Sequence, residues 1–290
     1  MQISKLFKEG RTGLSFEVFP PKKTSSLDSV YNALGELKEL KPDFISVTYG
    51  AGGNIANTLT CDIASYIKNE LGIESVAHLT CVNTTRENAD IILKRLKENG
   101  IENILALRGD INPDIPPLKE FVYASDLAAY IKEKGGFYVS GACYPECHYE
   151  CDNIDEDIKN LKKKTDAGVE HLISQLFFDN QVFYEFVEKA RAQGITVPIE
   201  AGIMPVTNTK QIERMVSMCG ASLPAKFVKV MQRFENNPEA LRDAGIAYAI
   251  DQIIDLAANG VQGIHLYTMN NPYVAGKITE GVKNVIRTDE

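Results

Sequence analysis

The chain has 290 residues, 44% apolar and 24% charged, enough for one large soluble domain or two small ones without covalent staples. Lys and Arg total 31 against 39 Asp and Glu, and the resulting net charge of −8 has the wrong sign for gripping phosphate backbones, so nucleic acid is not an expected partner. Six cysteines are too sparse for a disulfide framework, and no apolar run is long enough for a signal or a membrane anchor, so the expected location is a reducing cytoplasm.

The first apolar run, Leu14 to Pro20, places Glu17 among Phe16, Val18 and Phe19, a sequence setting that favours a neutral carboxyl and hence an acid/base group. A strand-edge carboxylate in a salt bridge is the plainer alternative. The second run, Phe44 to Gly50, ends on Thr48 and Tyr49 and enters Gly50-Ala51-Gly52-Gly53, a candidate backbone nest for a phosphate that lacks the GxGxxG and Walker spacings. After a helical segment, Leu71-Gly72-Ile73-Glu74 leads into the third run, Ser75 to Cys81, with His78 near its end. Ala89, Ile92, Leu93 and Leu96 then repeat at i, i+3, i+4 and i+7, the stripe of an amphipathic helix, before Asn99-Gly100-Ile101-Glu102. The fourth run, Ile104 to Asp110, delivers Arg108, Gly109 and Asp110; the aspartate either meets a ligand or caps the turn before Pro113.

The fifth run, Phe137 to Pro145, leads to Tyr144, Glu146 and His148. Cys143, Cys147 and Cys151 in this stretch have a C-x3-C-x3-C spacing that matches neither structural zinc pairs nor radical-enzyme cluster loops, so no metal is expected. Cys143 and Cys81 read as small buried hydrophobes. The sixth run, His171 to Asp179, carries Gln175, and the seventh is Val197 to Pro205. Asn208 then stands as a helix cap before the stripe Ile212, Met215, Val216 and Cys219, and the unit is long enough for an extra helix around Pro224 to Phe234, ahead of a segment from Pro238 to Ala258. The eighth run, Gly263 to Asn270, carries His265, Tyr267 and Asn270.

Glycine followed by a β-branched residue recurs at five helix-to-strand joints, at Gly72, Gly100, Gly168, Gly194 and Gly260, where it supplies a left-handed helix stop. Eight buried runs, each followed by a helical segment, predict an α/β fold: a (β/α)8 TIM barrel forming a single catalytic domain over residues 1–290, with an extra helix before strand eight. A doubly wound open sheet is the runner-up. In a barrel the chemistry sits at the C-terminal strand ends, and acid, amide, imidazole and phenol groups gather there in this sequence, predicting a catalytic or cofactor pocket.

These motifs together resemble the methylenetetrahydrofolate reductases, in the short bacterial form that is a catalytic barrel alone. The resemblance runs through SFEVFPPK (15–22), FISVTYGAGG (44–53), HLTC (78–81), LALRGD (105–110), YASDL (123–127), YPECH (144–148), KKKTDAGV (162–169), SQLFFD (174–179), GIMPVTN (202–208) and HLYTMN (265–270). It implies non-covalently bound FAD and reduction of 5,10-methylenetetrahydrofolate to 5-methyltetrahydrofolate in the one-carbon route to methionine, with hydride passing from N5 of reduced FAD to a 5-iminium carbon. By position, Glu17 is implied as the general acid and Asp110 as the residue between flavin and pterin. Thr48, Tyr49, Ala51, His78, Arg108, Gly109, Asp110, Ala124, Tyr144, His148, Asp157, Asn160 and Lys164 are implied at the FAD site. Gln175, Phe183, Gln211, Tyr267 and Asn271 are implied on the substrate side. Asn271 stands where many members carry an arginine, Met215 where an aromatic often stacks, and Cys147 where a small or aliphatic residue is usual. NADH, NADPH or a ferredoxin acting through a partner subunit all remain as electron donors, and a homo-oligomer is implied. A pterin-binding methyltransferase barrel and a flavin electron-relay subunit are the competing functions.

Overall fold

A computed structural model describes residues 1–7, 10–21, 26–49, 54–111, 118–208, 210–211 and 219–286, with the side chains of 54–58 outside that set. Eight strands run β1 Gly13–Val18, β2 Phe44–Val47, β3 Glu74–Thr80, β4 Asn103–Leu107, β5 Tyr138–Cys143, β6 His171–Ser174, β7 Ile199–Ile203 and β8 Gly263–Tyr267. Their hydrogen-bonded order, β1 through β8 in sequence, closes on itself, giving the expected (β/α)8 barrel. The nine α-helices among the described residues are α1 Leu27–Lys38, α2 Asn54–Asn69, α3 Arg86–Glu98, α4 Ala124–Lys134, α5 Ile154–Asp166, α6 Asn180–Ala192, α7 Ala225–Phe234, α8 Pro238–Ala258 and α9 Pro272–Ile286. Each predicted run overlaps one strand, with β1, β3 and β4 beginning one residue earlier than predicted, and α7 is the extra helix expected before strand eight. No described helix is long and apolar enough to cross a membrane.

The five joints behave as their residues dictate. Gly72, Gly100, Gly168, Gly194 and Gly260 all have φ between 72° and 107°, a region in which a Cβ is strained. At the third helix, Ala89, Ile92, Leu93 and Leu96 are the buried face of α3, and Thr85 caps its start by accepting from Asn88 N. Asn208 Oδ1 accepts from Gln211 N, as a helix cap should; Met215 and the rest of that stripe through residue 218 lie outside the described residues.

Contacts gather into two dense units, Met1–Leu6 with Ser15–Ala142 and Lys163–Leu172, and Phe7–Leu14 with Cys143–Lys162 and Ile173–Glu290. In the first, parallel register sets Glu17 beside Ser46 and Val76, while Phe16, Val18, Ile45 and Val47, all essentially fully buried, take the opposite face of the sheet. The same unit holds a buried polar pair: Ser140 Oγ bonds His171 Nδ1 at 2.9 Å, and the Phe44 ring meets that imidazole edge-on. In the second unit, Leu176, Phe178, Val206, Phe227, Met231 and Leu241 form an apolar cluster, with Phe178 stacked on Phe227 at 4.5 Å.

Two glycines in the first unit separate backbone strain from backbone freedom. Gly100, at φ +72, has open space around its Cβ position, so Gly100→Ala is expected to cost about 1–2 kcal/mol from the left-handed conformation alone. Gly35, exposed in the middle of α1 with equally open space, should gain about 0.5–1 kcal/mol as Gly35→Ala. Urea unfolding of the two variants, reading the midpoint at constant slope, checks both signs.

Candidate active site

In the first unit, β1 and β3 bring Glu17 and His78 together, with Glu17 Oε2 3.6 Å from His78 Nε2; the carboxylate is 21% exposed and the imidazole 5%. The apolar setting expected for Glu17 from Phe16 and Val18 is therefore corrected, because strand alternation turns both of those side chains to the other face of the sheet. What faces Glu17 is an imidazole.

Thr48 follows β2 and is pinned through both of its backbone polar groups. Its N–H donates to Val18 O at 3.0 Å and its carbonyl accepts from Thr60 Oγ1 of α2. Tyr49 is half-buried beside it, and Ala51 with the rest of the glycine-rich nest lies outside the described residues. The ladder between β3 and β4 continues past both strands, through Cys81 N to Leu107 O and Val82 N to Arg108 O. It stops at Gly109, whose φ of +86 and closeness to Thr80 and Val82 leave no room for a Cβ. That stop sets Arg108, half-buried, and Asp110, exposed, at the end of β4. Arg108 Nε donates to Gly109 O at 3.4 Å. Ala124 is the buried first residue of α4, whose entry is tied by Asp126 Oδ2 accepting from Val122 N and Tyr123 N. Lys164 reaches back from α5 and donates to Ala142 O at 2.6 Å, which fixes its charge beside the end of β5.

In the second unit, the loop after β5 is a small aromatic and polar assembly. Tyr144 meets His148 edge-on at 4.7 Å, and Tyr149 stacks on the same imidazole at 4.5 Å. Asp157 Oδ2 accepts from His148 N at 2.9 Å, tying the loop to α5, and Asn160 Nδ2 faces Cys151 Sγ. Cys147 holds φ +75, unusual for a residue with a Cβ, and burial together with the Asp157 charge pushes its thiol to about 11. Cys81 and Cys143 are buried as expected, and burial likewise raises the Cys81 thiol to about 11. Among the described residues no three His, Cys, Asp or Glu side chains are placed to hold a metal ion.

Gln175, just past β6, is held more firmly than its motif implied. Its N–H donates to Cys143 O at 2.7 Å, and its own Oε1 accepts from Leu176 N at 2.8 Å, so the NH₂ end is presented as the donor. The carbonyl of the same peptide, Ser174 O, accepts from Tyr267 Oη at 2.7 Å. Ser174 Oγ accepts from Gly202 N. Residue type alone singles out neither Ser174 nor Gly202; the one sequence signal is a glycine inside a strand run, which marks a close approach.

The other substrate-side residues sit in structural settings. Phe183 is buried in α6 and stacks on Phe177 at 4.9 Å. Gln211 Oε1 accepts from Thr207 N and Oγ1, tying the side chain to the residue before the Asn208 cap. Asn271 Oδ1 accepts from Val274 N, making it the cap of α9 ahead of Pro272.

Comparison with known proteins shows the family to which the chain belongs. The methylenetetrahydrofolate reductase family model matches residues 2–283. The 5,10-methylenetetrahydrofolate reductase of Pectobacterium carotovorum is 37% identical over 90% of this chain and 87% of its own length, and that of Escherichia coli is 37% identical over 90% and 88%. Methylenetetrahydrofolate reductase (NADH) 1 of Arabidopsis thaliana is 36% identical over 93% of this chain but only 48% of its own, so the chain spans about half the length of that plant relative. Among solved structures, a Clostridium thermocellum protein that binds two copies of 5-methyl-5,6,7,8-tetrahydrofolic acid shares the fold at a TM-score of 0.71 and 14% identity, covering 98% of this chain and 99% of that one. The extent of the family match and the bacterial identities place this chain in the methylenetetrahydrofolate reductase family.

Proposed function

We propose that residues 1–290 act as one catalytic domain that reduces 5,10-methylenetetrahydrofolate to 5-methyltetrahydrofolate. The observation that carries this reading is the approach of Glu17 on β1 to His78 on β3, across the intervening β2 of a family barrel, which sets an imidazole 3.6 Å from a carboxyl acid. Glu17 donates its proton to N10 of the folate, the C–N bond to the bridging carbon breaks, and N5 carries the resulting iminium cation. FAD, when bound and reduced, supplies the hydride that this carbon accepts. Asp110 contributes a negative charge that favours the cation, and because its side chain is exposed that charge acts at strength only once bound ligands exclude water. Gln175 offers its amide NH₂ to acceptors on the pterin ring.

The donor set fits a flavin dinucleotide chemically. A diphosphate calls for cations, which Arg108 and Lys164 provide; hydroxyl-bearing sugars call for carboxylate and amide partners, which Asp157 and Asn160 provide on α5; and Thr48, Tyr49, Tyr144, His78 and His148 add hydroxyl, phenol and imidazole groups. Lys164 is held in advance, since its bond to Ala142 O fixes where its charge sits before any ligand arrives.

Purified protein should carry flavin absorption, or gain it on incubation with FAD; protein that takes up no flavin contradicts the proposal. With NADH, NADPH or a reduced ferredoxin tried in turn as donor, Glu17→Gln should keep flavin and its reduction while losing about 10²- to 10⁴-fold in reoxidation by methylenetetrahydrofolate. Equal losses in both half-reactions would remove the acid role. Asp110→Asn should raise the flavin midpoint potential and slow folate reduction, as read by dye-equilibrated reductive titration and stopped-flow absorbance.

A further inference from the structure

The peptide that joins Ser174 to Gln175 is bonded at both ends, and each bond comes from a different strand. Its N–H donates to Cys143 O on β5, and its carbonyl accepts from the Tyr267 hydroxyl on β8. Tyr267 is not a neighbour of β6 in the strand order; β7 lies between them. The phenol crosses β7 at Gly202, where an added Cβ would collide with Ser174 O and stand 2.7 Å from the Tyr267 hydroxyl. Gly202 thus serves as a gap, and its own N–H donates to Ser174 Oγ, adding a third fastening to the residue that precedes Gln175. The Tyr267 ring is held in turn by the apolar cluster of the second unit and by edge-on contact with His265 at 5.4 Å.

We infer that Tyr267 is a positioning residue for folate recognition, acting through the Ser174–Gln175 peptide to aim the Gln175 amide; this rests on the reading of Gln175 as the pterin-binding group. The hydroxyl has one proton, and it is given to Ser174 O, so its contribution to the ligand as a donor is indirect. With Oε1 of Gln175 engaged by Leu176 N, a turn of the Ser174–Gln175 peptide carries the NH₂ donors with it, and that is the rotation Tyr267 opposes. Losing the bond frees a carbonyl to tilt without emptying any apolar space.

The test is a double-mutant cycle on flavin-loaded protein, with the dissociation constant of 5-methyltetrahydrofolate measured by calorimetry. Tyr267→Phe keeps the ring and is expected to weaken binding about five- to tenfold, the scale of one hydrogen bond. Gln175→Ala should weaken it at least as much. The double variant should bind no more weakly than Gln175→Ala alone, because the tyrosine has nothing left to aim. A double variant weaker by the product of the two single effects overturns the inference, since Tyr267 then contributes independently of Gln175, whether by touching the ligand or by supporting the fold at large. An unchanged constant in Tyr267→Phe overturns it while leaving Gln175 in place; an unchanged constant in Gln175→Ala overturns both. Tyr267→Met, which retains apolar contacts, replaces the phenylalanine variant in the cycle if that variant does not fold.

Discussion

The period of two in a β-strand decides what this molecule can do. Once a strand is committed to a closed parallel barrel, every side chain is assigned to one face, and the assignment cannot be changed residue by residue. Glu17 is the clearest result. The three apolar neighbours that surround it in the sequence include two, Phe16 and Val18, that leave for the other side of the sheet, and an imidazole from β3, distant in the chain, stands 3.6 Å from its carboxylate. The face it shares also carries Ser46, and the Ser140–His171 bond shows how polar groups within this unit are accommodated in pairs.

Strand ends are then fixed by backbone devices that have little to do with side-chain chemistry. The ladder between β3 and β4 runs on through Cys81 and Val82 until Gly109 ends it, and so Arg108 and Asp110 leave the sheet together. Asp126 and Asp157 each accept from backbone N–H groups and so set the entry to α4 and the loop before α5. The functional residues inherit their places from these bonds.

Much of the architecture was legible because it depends on local rules. Glycine at a helix stop, an apolar stripe at helical spacing and continuous apolar runs each imply one element, and the strands, the joints and the extra helix follow from them. The candidate site was legible only as a set of residue types at strand ends. Partners were not, because they come from residues far apart in the chain: nothing near Glu17 announces His78, and nothing near Gln175 announces Tyr267. Residues carried over by resemblance also do local duties that the sequence does not announce. Asn271 caps α9, Gln211 accepts from the Thr207 backbone, and Phe183 stacks within the packing of α6. Motif position does not separate such duties from ligand contact, since both are satisfied by the same amide or ring.

The gap at Gly202 ties three strands into one heritable unit. A side chain there cannot be accepted while the phenol occupies the crossing, and a shorter residue at 267 would leave the gap with nothing to fill it. Changing 202 first meets a collision, whereas changing 267 first meets only an unfastened peptide. Of the two, the unfastened peptide is the passable intermediate, because it preserves the fold and sacrifices only the aim of one amide.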